Sequence, residues 1–440
     1  MTDRDDAAPS DVPLADLVRA SARVGIESFG GPAAHIAVLH RVFVEEKRWI
    51  SEDRFLHALN FCMLLPGPEA TQLATYVGWL LRGVRGGLVA GVLFVLPGAL
   101  AMLAISIAYA LFHEVPLVAA LFFGVKAGVL AIVAEAVIRV GRRALRSRVA
   151  AIVAAASFVL LFAGRVPFPF VVLGAALLGL LVPRAFEAGG EAALSRSDVM
   201  ERPSLARLLR TAAIGLAVWF GPVALLVPLF GGDSVFVHQG VFFSKAAVVT
   251  FGGAYAVLGY VQQQAVEQYA WVTPGQMLDG LGLAETTPGP LILVLQFVAF
   301  LGAHGAPGGI HPVAAGALGA AVMLWTTFVP CFLWIFAFAP WVEAARGVRR
   351  LASALGAITA AVVGVIASLG AALALHTLFG DVGAVDLPVG WLPSPRWSTF
   401  DAPSAVIAAA AALLLFRFRA GLGRTLAAAA AAGLAWRLLS

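Results

Sequence analysis

SFGGPAAHIAVLHRVFVEEKRWISEDRFLHALNFCMLLPGP at residues 28–68 and TFGGAYAVLGYVQQQAVEQYAWVTPGQMLDGLGLAETTPGP at residues 250–290 align without a gap at an offset of 222 positions. The offset superposes Phe29–Gly30–Gly31 on Phe251–Gly252–Gly253 and Pro66–Gly67–Pro68 on Pro288–Gly289–Pro290. It also sets Ala34 on Ala256, Glu45 on Glu267, Trp49 on Trp271 and Leu59 on Leu281. So many matches at a single offset mark an internal duplication. In each copy an apolar stretch is broken twice, by Gly-Gly and by Pro-Gly-Pro. Glycine releases the backbone from helical geometry, and proline removes a donor and clashes with the preceding turn.

Outward from these stretches the chain is apolar. Of 440 residues 60% are hydrophobic and 12% charged, and the mean hydropathy is +0.90. Soluble domains carry about a quarter charged residues, so a soluble enzyme is excluded and an integral membrane protein is implied. Charge-free runs extend from Gly86 to His113, Thr211 to Gly232, Thr286 to Val342 and Leu351 to Gly380, each long enough to cross a bilayer. The polar, acidic first thirteen residues lack the pattern of a cleavable signal, so the membrane segments are expected to direct insertion. The net charge of +5 is scattered in short clusters between apolar blocks, which does not suit nucleic acid. Cys62 and Cys331 are isolated and the eight histidines have no ligand spacing. No disulfide, metal or cofactor is therefore expected.

The basic residues orient the segments. If Arg82 and Arg85 face the cytoplasm, alternate crossings place Arg139, Arg142, Arg143, Arg146 and Arg148 inside, followed by the linker from Arg184. The helix at 211–232 then adds one crossing. Loops at Arg346 to Arg350 and Arg417 to Arg424 fall inside, and the outside loops keep Arg165 and Arg396. This positive-inside bias fits an inverted-topology pair, as in secondary transporters. The connection Arg41 to Arg54 is basic, whereas its mate, Gln262 to Gln276, has no basic residue; re-entrant hairpins fit that difference better than full crossings.

The fold expected is an all-α polytopic membrane protein of two inverted-topology repeats with broken or re-entrant helices, about thirteen membrane segments in all. Its parts are a polar N-terminal tail (1–13), a first transporter repeat (14–183), a cytoplasmic linker (184–210), a connecting transmembrane helix (211–232) and a second repeat (236–440). The N-terminus is expected in the cytoplasm.

Broken backbone at membrane depth persists only where protein or a water-filled cavity satisfies it. A helix restarting there turns unpaired N–H groups and a positive dipole end toward the break, which suits an anion. The candidate binding residues are therefore Ser28, Phe29, Gly30, Gly31, Pro66, Gly67, Pro68 and Glu69 in the first repeat. In the second they are Thr250, Gly252, Gly253, Thr287, Pro288, Gly289 and Pro290. Asn60, Thr71, Gln72, Thr286 and Gln296 lie beside the second break of each repeat. Arg23 and Lys245 fall at matched positions before the first breaks and are candidate counter-charges for a dianion, although Arg23 can also pair locally with Glu27 and Lys245 can reach the interface. Glu27, Lys126 and Glu285 are candidates for coupling or gating, with Glu135 a structural partner for Lys126.

SFGGPAAHI, Trp49 after the acidic stretch and LLPGPEATQ, repeated more weakly as TFGGA through TTPGPL, resemble the chromate ion transporter family in its long two-domain form. The second repeat departs at Ala254, where the first has Pro32, and at Leu291, where the first has Glu69. The resemblance implies a multi-pass protein of the bacterial inner membrane that expels chromate, with sulfate a related ligand, and so confers chromate resistance. The expected partners are this small inorganic oxyanion, the lipid bilayer and a second copy of the chain, with no nucleic acid. Two other readings are an anion channel lined by the same breaks and a membrane-embedded enzyme; the sequence offers no acid/base or nucleophile set for the latter.

Overall fold

The computed structural model of the chain describes residues 12–29, 31–63, 65–164, 166–186, 204–251, 254–342, 349–386 and 390–439. Most of the linker 184–210, most of the N-terminal tail, and Gly30, Gly252 and Gly253 of the candidate site lie outside the described residues.

The first repeat runs α1 (Leu14–Glu27), α2 (Pro32–His40), a π-helical turn (Arg41–Glu46), α3 (Glu52–Cys62), α4 (Glu69–Phe112), α5 (Pro116–Ala144), α6 (Arg148–Phe162) and α7 (Phe168–Leu181). The second, after α8 (Leu205–Phe230), runs α9 (Val235–Val249), α10 (Ala254–Val261), a π-helical turn (Gln262–Gln268), α11 (Pro274–Thr286), a 3-10 turn (Leu291–Leu293), α12 (Val294–Gly305), α13 (Pro312–Val342) and α14 (Arg349–Leu378). A two-stranded antiparallel hairpin, β1 (Val382–Asp386) with β2 (Trp391–Pro395), precedes α15 (Ala402–Phe416) and α16 (Leu422–Leu439). The protein is all-α and polytopic, with a two-part repeat. Among the described residues five helices are long and apolar enough to cross a membrane: those at Glu69–Phe112, Pro116–Ala144, Leu205–Phe230, Pro312–Pro340 and Ser353–Leu378.

The offset of 222 survives in local geometry. It carries α1 onto α9, α2 onto α10, one π-helical turn onto the other, and α3 onto α11. After the π turns Arg48 (φ 50°) and Ala270 (φ 51°) both take the left-handed conformation, as do Gly67 (φ 117°) and Gly289 (φ 88°) in the Pro-Gly-Pro breaks.

Three boundaries differ from those read in the sequence. α8 begins at Leu205, ahead of the expected 211; Arg207 and Arg210 occupy its opening turns, since charge ends a hydrophobic run without ending a helix. α4 is interrupted at Arg82 (φ −145°, ψ 26°) and Gly83 (φ 59°, ψ −150°), which divides it into arms 69–81 and 84–112. Gly78 and Gly86 let the arms close on each other: a Cβ on either would stand 2.2–2.3 Å from the other's carbonyl oxygen. The hairpin β1–β2 has no counterpart among the elements expected from the sequence.

The chain folds into two compact units. The first comprises 1–104, 190–254 and 287–348; the second comprises 105–189, 255–286 and 349–440. Both repeats contribute to each. In the first unit α8, α9, α12 and α13 enclose Leu226, Phe236, Val237, Ala303, Ala315 and Val322. In the second unit α14 packs on α5, α6 and α7, while α15 and α16 pack on α5. Gly124 of α5 and Gly433 of α16 meet backbone to backbone, a Cβ on Gly433 falling 2.4 Å from the Gly124 nitrogen. Small residues at such crossings let membrane helices approach closely.

Candidate functional site at the helix breaks

α1 ends because Ser28 leaves the helical region (φ −81°, ψ 95°), and α9 ends in the same way at Thr250 (φ −78°, ψ 96°). Each side chain caps its own last turn. Ser28 Oγ donates to the Val24 carbonyl at 2.6 Å, and Thr250 Oγ1 donates to the Ala246 carbonyl at 2.5 Å. Gly31 (φ 85°) then restarts the chain into α2 with Pro32 in the first turn, where its missing N–H costs nothing.

The Pro-Gly-Pro breaks are tied across the repeats. The Gly67 N–H donates to the Thr250 carbonyl at 2.7 Å, and the Gly289 N–H donates to the Ser28 carbonyl at 2.8 Å. The same bond is therefore made twice, each repeat supplying the donor to the other's carbonyl. It satisfies four polar groups that would otherwise be stranded by non-helical backbone in an apolar interior. Both positions need glycine for their positive φ. Gly289 also lies against Gly98, where a Cβ on Gly98 would be 2.3 Å from the Pro288 oxygen.

This geometry redistributes the donors. Pro66, Pro68, Pro288 and Pro290 have no N–H, and those of Gly67 and Gly289 are engaged across the repeats. The N–H groups of Gln72 and Leu293 return to the carbonyls of Pro68 and Pro290. The helix pattern leaves the amides of 70 and 71, and of 291 and 292, as the first-turn donors. Around them the buried polar side chains are Thr71, Gln72, Thr287 and Gln296, all 5% exposed or less. Gln72 Nε2 donates to the Pro66 carbonyl at 2.7 Å and Gln296 Nε2 to the Ala99 carbonyl at 2.9 Å. Thr71 Oγ1, Gln72 Oε1 and Gln296 Oε1 have no hydrogen-bond partner among the described residues. Buried polar atoms are almost always paired, which makes these unpaired ones beside the breaks candidates for contact with water or a ligand.

His35, in the first turns of α2, is missed when the histidines are judged only by metal spacing. It is 1% exposed, stacks edge-on against Phe94 at 5.9 Å, and neither ring nitrogen has a partner among the described residues. Its position four residues after Gly31 is the signal the sequence carries.

The remaining candidates are distributed as follows. Phe29 is about half exposed. Arg23 bonds Glu27 at 2.7 Å and Glu46 at 2.6 Å, and Arg41 also pairs with Glu27. Two arginines and two carboxylates thus form one neutral network, in which Arg23 takes the local pairing its spacing from Glu27 allows. Lys245 is exposed on α9. Glu285 is buried and belongs, with Lys126, to the second unit. Lys126 pairs with Asp279 at 3.3 Å. Its expected partner Glu135 pairs instead with Arg139 at 3.4 Å, because one helical turn on α5 brings those two together. The described residues contain no cluster of metal-ligating side chains.

A family model described as "Chromate transporter" matches residues 15–180 and 237–435. The chain is 35% identical over 373 residues to a chromate transport protein of Pseudomonas aeruginosa, covering 82% of this chain and 81% of that one. It is 28% identical to a chromate transport protein of Cupriavidus metallidurans over 86% of each chain. It is 27% identical to a probable chromate transport protein of Synechococcus elongatus, covering 90% of this chain and 95% of that one. No solved structure matches.

Proposed function

The chain belongs to the chromate transporter family, and we propose that it exports chromate from the cytoplasm across the inner membrane, conferring chromate resistance by alternating access at the four helix breaks. The family and the apolar helices support a multi-pass membrane protein that acts as a transporter and not as an enzyme. In this reading the tetrahedral dianion binds among Ser28, Phe29, Gly30, Gly31, Pro66, Gly67, Pro68 and Glu69 of the first repeat. The second repeat contributes Thr250, Gly252, Gly253, Thr287, Pro288, Gly289 and Pro290. First-turn amides, the Thr71 hydroxyl and the second Nε2 hydrogen of Gln72 and of Gln296 donate hydrogen bonds, His35 stands beside the first restart, Lys245 adds positive potential, and Arg23 offsets the carboxylates of Glu27 and Glu46. Sulfate, of equal charge and similar shape, competes.

The observation that carries this reading is the crossed pair Gly67 to Thr250 and Gly289 to Ser28. It draws all four breaks into one unit and leaves unpaired buried polar atoms beside them. The two halves, 14–183 and 236–440, act as opposed repeats joined through the linker 184–210 and the helix at 211–232, with the N-terminus in the cytoplasm. A membrane potential that is negative inside supplies the drive, about 4.6 kcal/mol per 100 mV for a dianion moving outward.

The test is chromate uptake into everted vesicles under an imposed potential, with sulfate, molybdate and phosphate as competitors. Uptake that rises with potential and is inhibited best by sulfate is expected. Uptake indifferent to potential, or unchanged by Thr71→Val with Gln296→Leu, refutes the site.

A further inference from the structure

We propose that Asp279, with Lys126 and Tyr109, forms a proton-gated oxyanion station in the second unit, separate from the breaks, at which a proton and an anion are taken up together. The inference rests on the transport reading above.

Asp279 lies in α11 and is 1% exposed. Its Oδ2 accepts the Tyr109 hydroxyl at 2.7 Å and faces Lys126 Nζ at 3.3 Å. Its Oδ1 is buried and has no hydrogen-bond partner among the described residues. Lys126 is different: a third of its side chain is exposed, and Gly275 leaves room for its ammonium, a Cβ there falling 3.2 Å from Nζ. The pair therefore joins a sealed carboxylate to a cation with access to its surroundings.

Other groups lie on the elements around Asp279 among the described residues. From the turn just after α4, His113 stacks on Tyr109 with ring centroids 5.0 Å apart and places Nδ1 3.0 Å from the Tyr109 carbonyl oxygen. From α5 comes Lys126; Glu135, farther along that helix, is held by Arg139. On α11 itself the other carboxylate is Glu285. α14, α16 and the π turn at Gln262–Gln268 also pack on α11, and no charged side chain described on them forms an ion pair with Asp279.

Two arrangements of this centre keep its net charge small, at zero in the first and, with a dianion bound, at one negative charge in the second. In one, ionised Asp279 holds Lys126. In the other, hydronium has given a proton to Oδ1 and left as water, an O–H bond has formed there, the Lys126 contact has opened, and the ammonium faces an incoming dianion. Ionised Asp279 with the dianion at Lys126 leaves two surplus negative charges in apolar surroundings, twice what remains once Asp279 is protonated. Protonated Asp279 without an anion leaves the ammonium uncompensated. Both are costly. Proton and anion thus favour the same state, and by linkage each raises the affinity for the other.

The experiment uses the full chain in proteoliposomes at pH 8, where chromate itself carries no proton. A chromate gradient is applied with the potential clamped, and chromate and protons are counted together. The expected ratio is about one proton per chromate, moving in the same direction. In Asp279→Asn it should fall below about a tenth of that, with Asp279→Glu restoring it and His113→Asn leaving it unchanged. Chromate movement by the unaltered protein without proton movement overturns this inference alone, as does an unchanged ratio in Asp279→Asn. No chromate movement by the unaltered protein overturns the transport reading itself. If Asp279→Asn does not insert, the count on the unaltered protein decides.

Discussion

Placing alanine at each of the two Pro-Gly-Pro glycines should harm the protein unequally, and the structure gives the order. Both residues have positive φ, 117° at Gly67 and 88° at Gly289, which costs an L-residue about 1–2 kcal/mol. Their surroundings differ. A Cβ at Gly67 meets Gln72 Nε2 at 3.0 Å and Cys331 Sγ at 3.3 Å, both side-chain ends that can retreat. Withdrawal of the Gln72 amide stretches its bond to the Pro66 carbonyl, a further loss of about 1 kcal/mol. A Cβ at Gly289 meets the Gly98 Cα at 3.1 Å and Leu293 Cδ1 at 3.2 Å. Backbone cannot step aside, so the turn moves and the bond to the Ser28 carbonyl is strained, adding about 2 kcal/mol in packing and hydrogen bonding. The totals are about 2–3 kcal/mol for Gly67→Ala and about 3–4 kcal/mol for Gly289→Ala. For 440 residues an unfolding entropy of about 0.9 kcal/mol/K turns these into falls in Tm of roughly 2–3 °C and 3–4 °C. The assay is thermal unfolding of both purified variants side by side in the same detergent. A Gly67→Ala variant less stable than Gly289→Ala, or two variants indistinguishable from the parent, would refute the packing argument.

Three further expectations concern the first unit. Arg23→Gln leaves two carboxylates against Arg41 alone, and the surplus negative charge should slow chromate uptake roughly tenfold at low salt, less as ionic strength rises; adding Glu46→Gln should recover most of the rate. His35→Phe keeps a ring against Phe94 and removes two buried nitrogens that lack partners, so stability should rise by about 1–2 kcal/mol while chromate transport falls; a gain in stability with full transport would assign His35 to packing. Gln72→Leu, read by the yield of folded protein and by uptake, should cost about 1–3 kcal/mol because the Pro66 carbonyl loses its donor.

The breaks and the duplication are legible in the sequence because Gly-Gly and Pro-Gly-Pro act through the backbone, and any copy of them shows at a fixed offset. The long charge-free runs mark the helices for the same reason: a bilayer excludes charge whatever the packing. The crossed hydrogen bonds are not legible. They join Gly67 to Thr250 and Gly289 to Ser28, and no local pattern says which carbonyl a distant amide will meet. Nor is the neutralisation of Arg23 by Glu46, twenty-three positions away and brought near only when the π turn after α2 aims it back at α1. Asp279 is easily passed over because it sits between apolar residues in a stretch dominated by its Pro-Gly-Pro. A carboxylate flanked by apolar residues in such a helix is itself the signal, and Lys126 is the cation to match it with. The turn at Arg82 and Gly83 hides because Gly83 is one of four glycines within ten residues, with Gly78, Gly86 and Gly87, and sequence alone does not say which of them breaks the helix; the close approach of Gly78 and Gly86 decides it.

The crossed bonds also carry a consequence for how such a chain is built. Each half makes the donor glycine for the other's break and the acceptor carbonyl for the other's donor, so a half alone has one of each left over. Those leftovers are self-complementary: two identical halves, apposed, satisfy one another with the same two bonds. Severed in the segment between them and produced as separate polypeptides, the halves would therefore need each other to mature, and either one made alone would be driven to associate with its own copy.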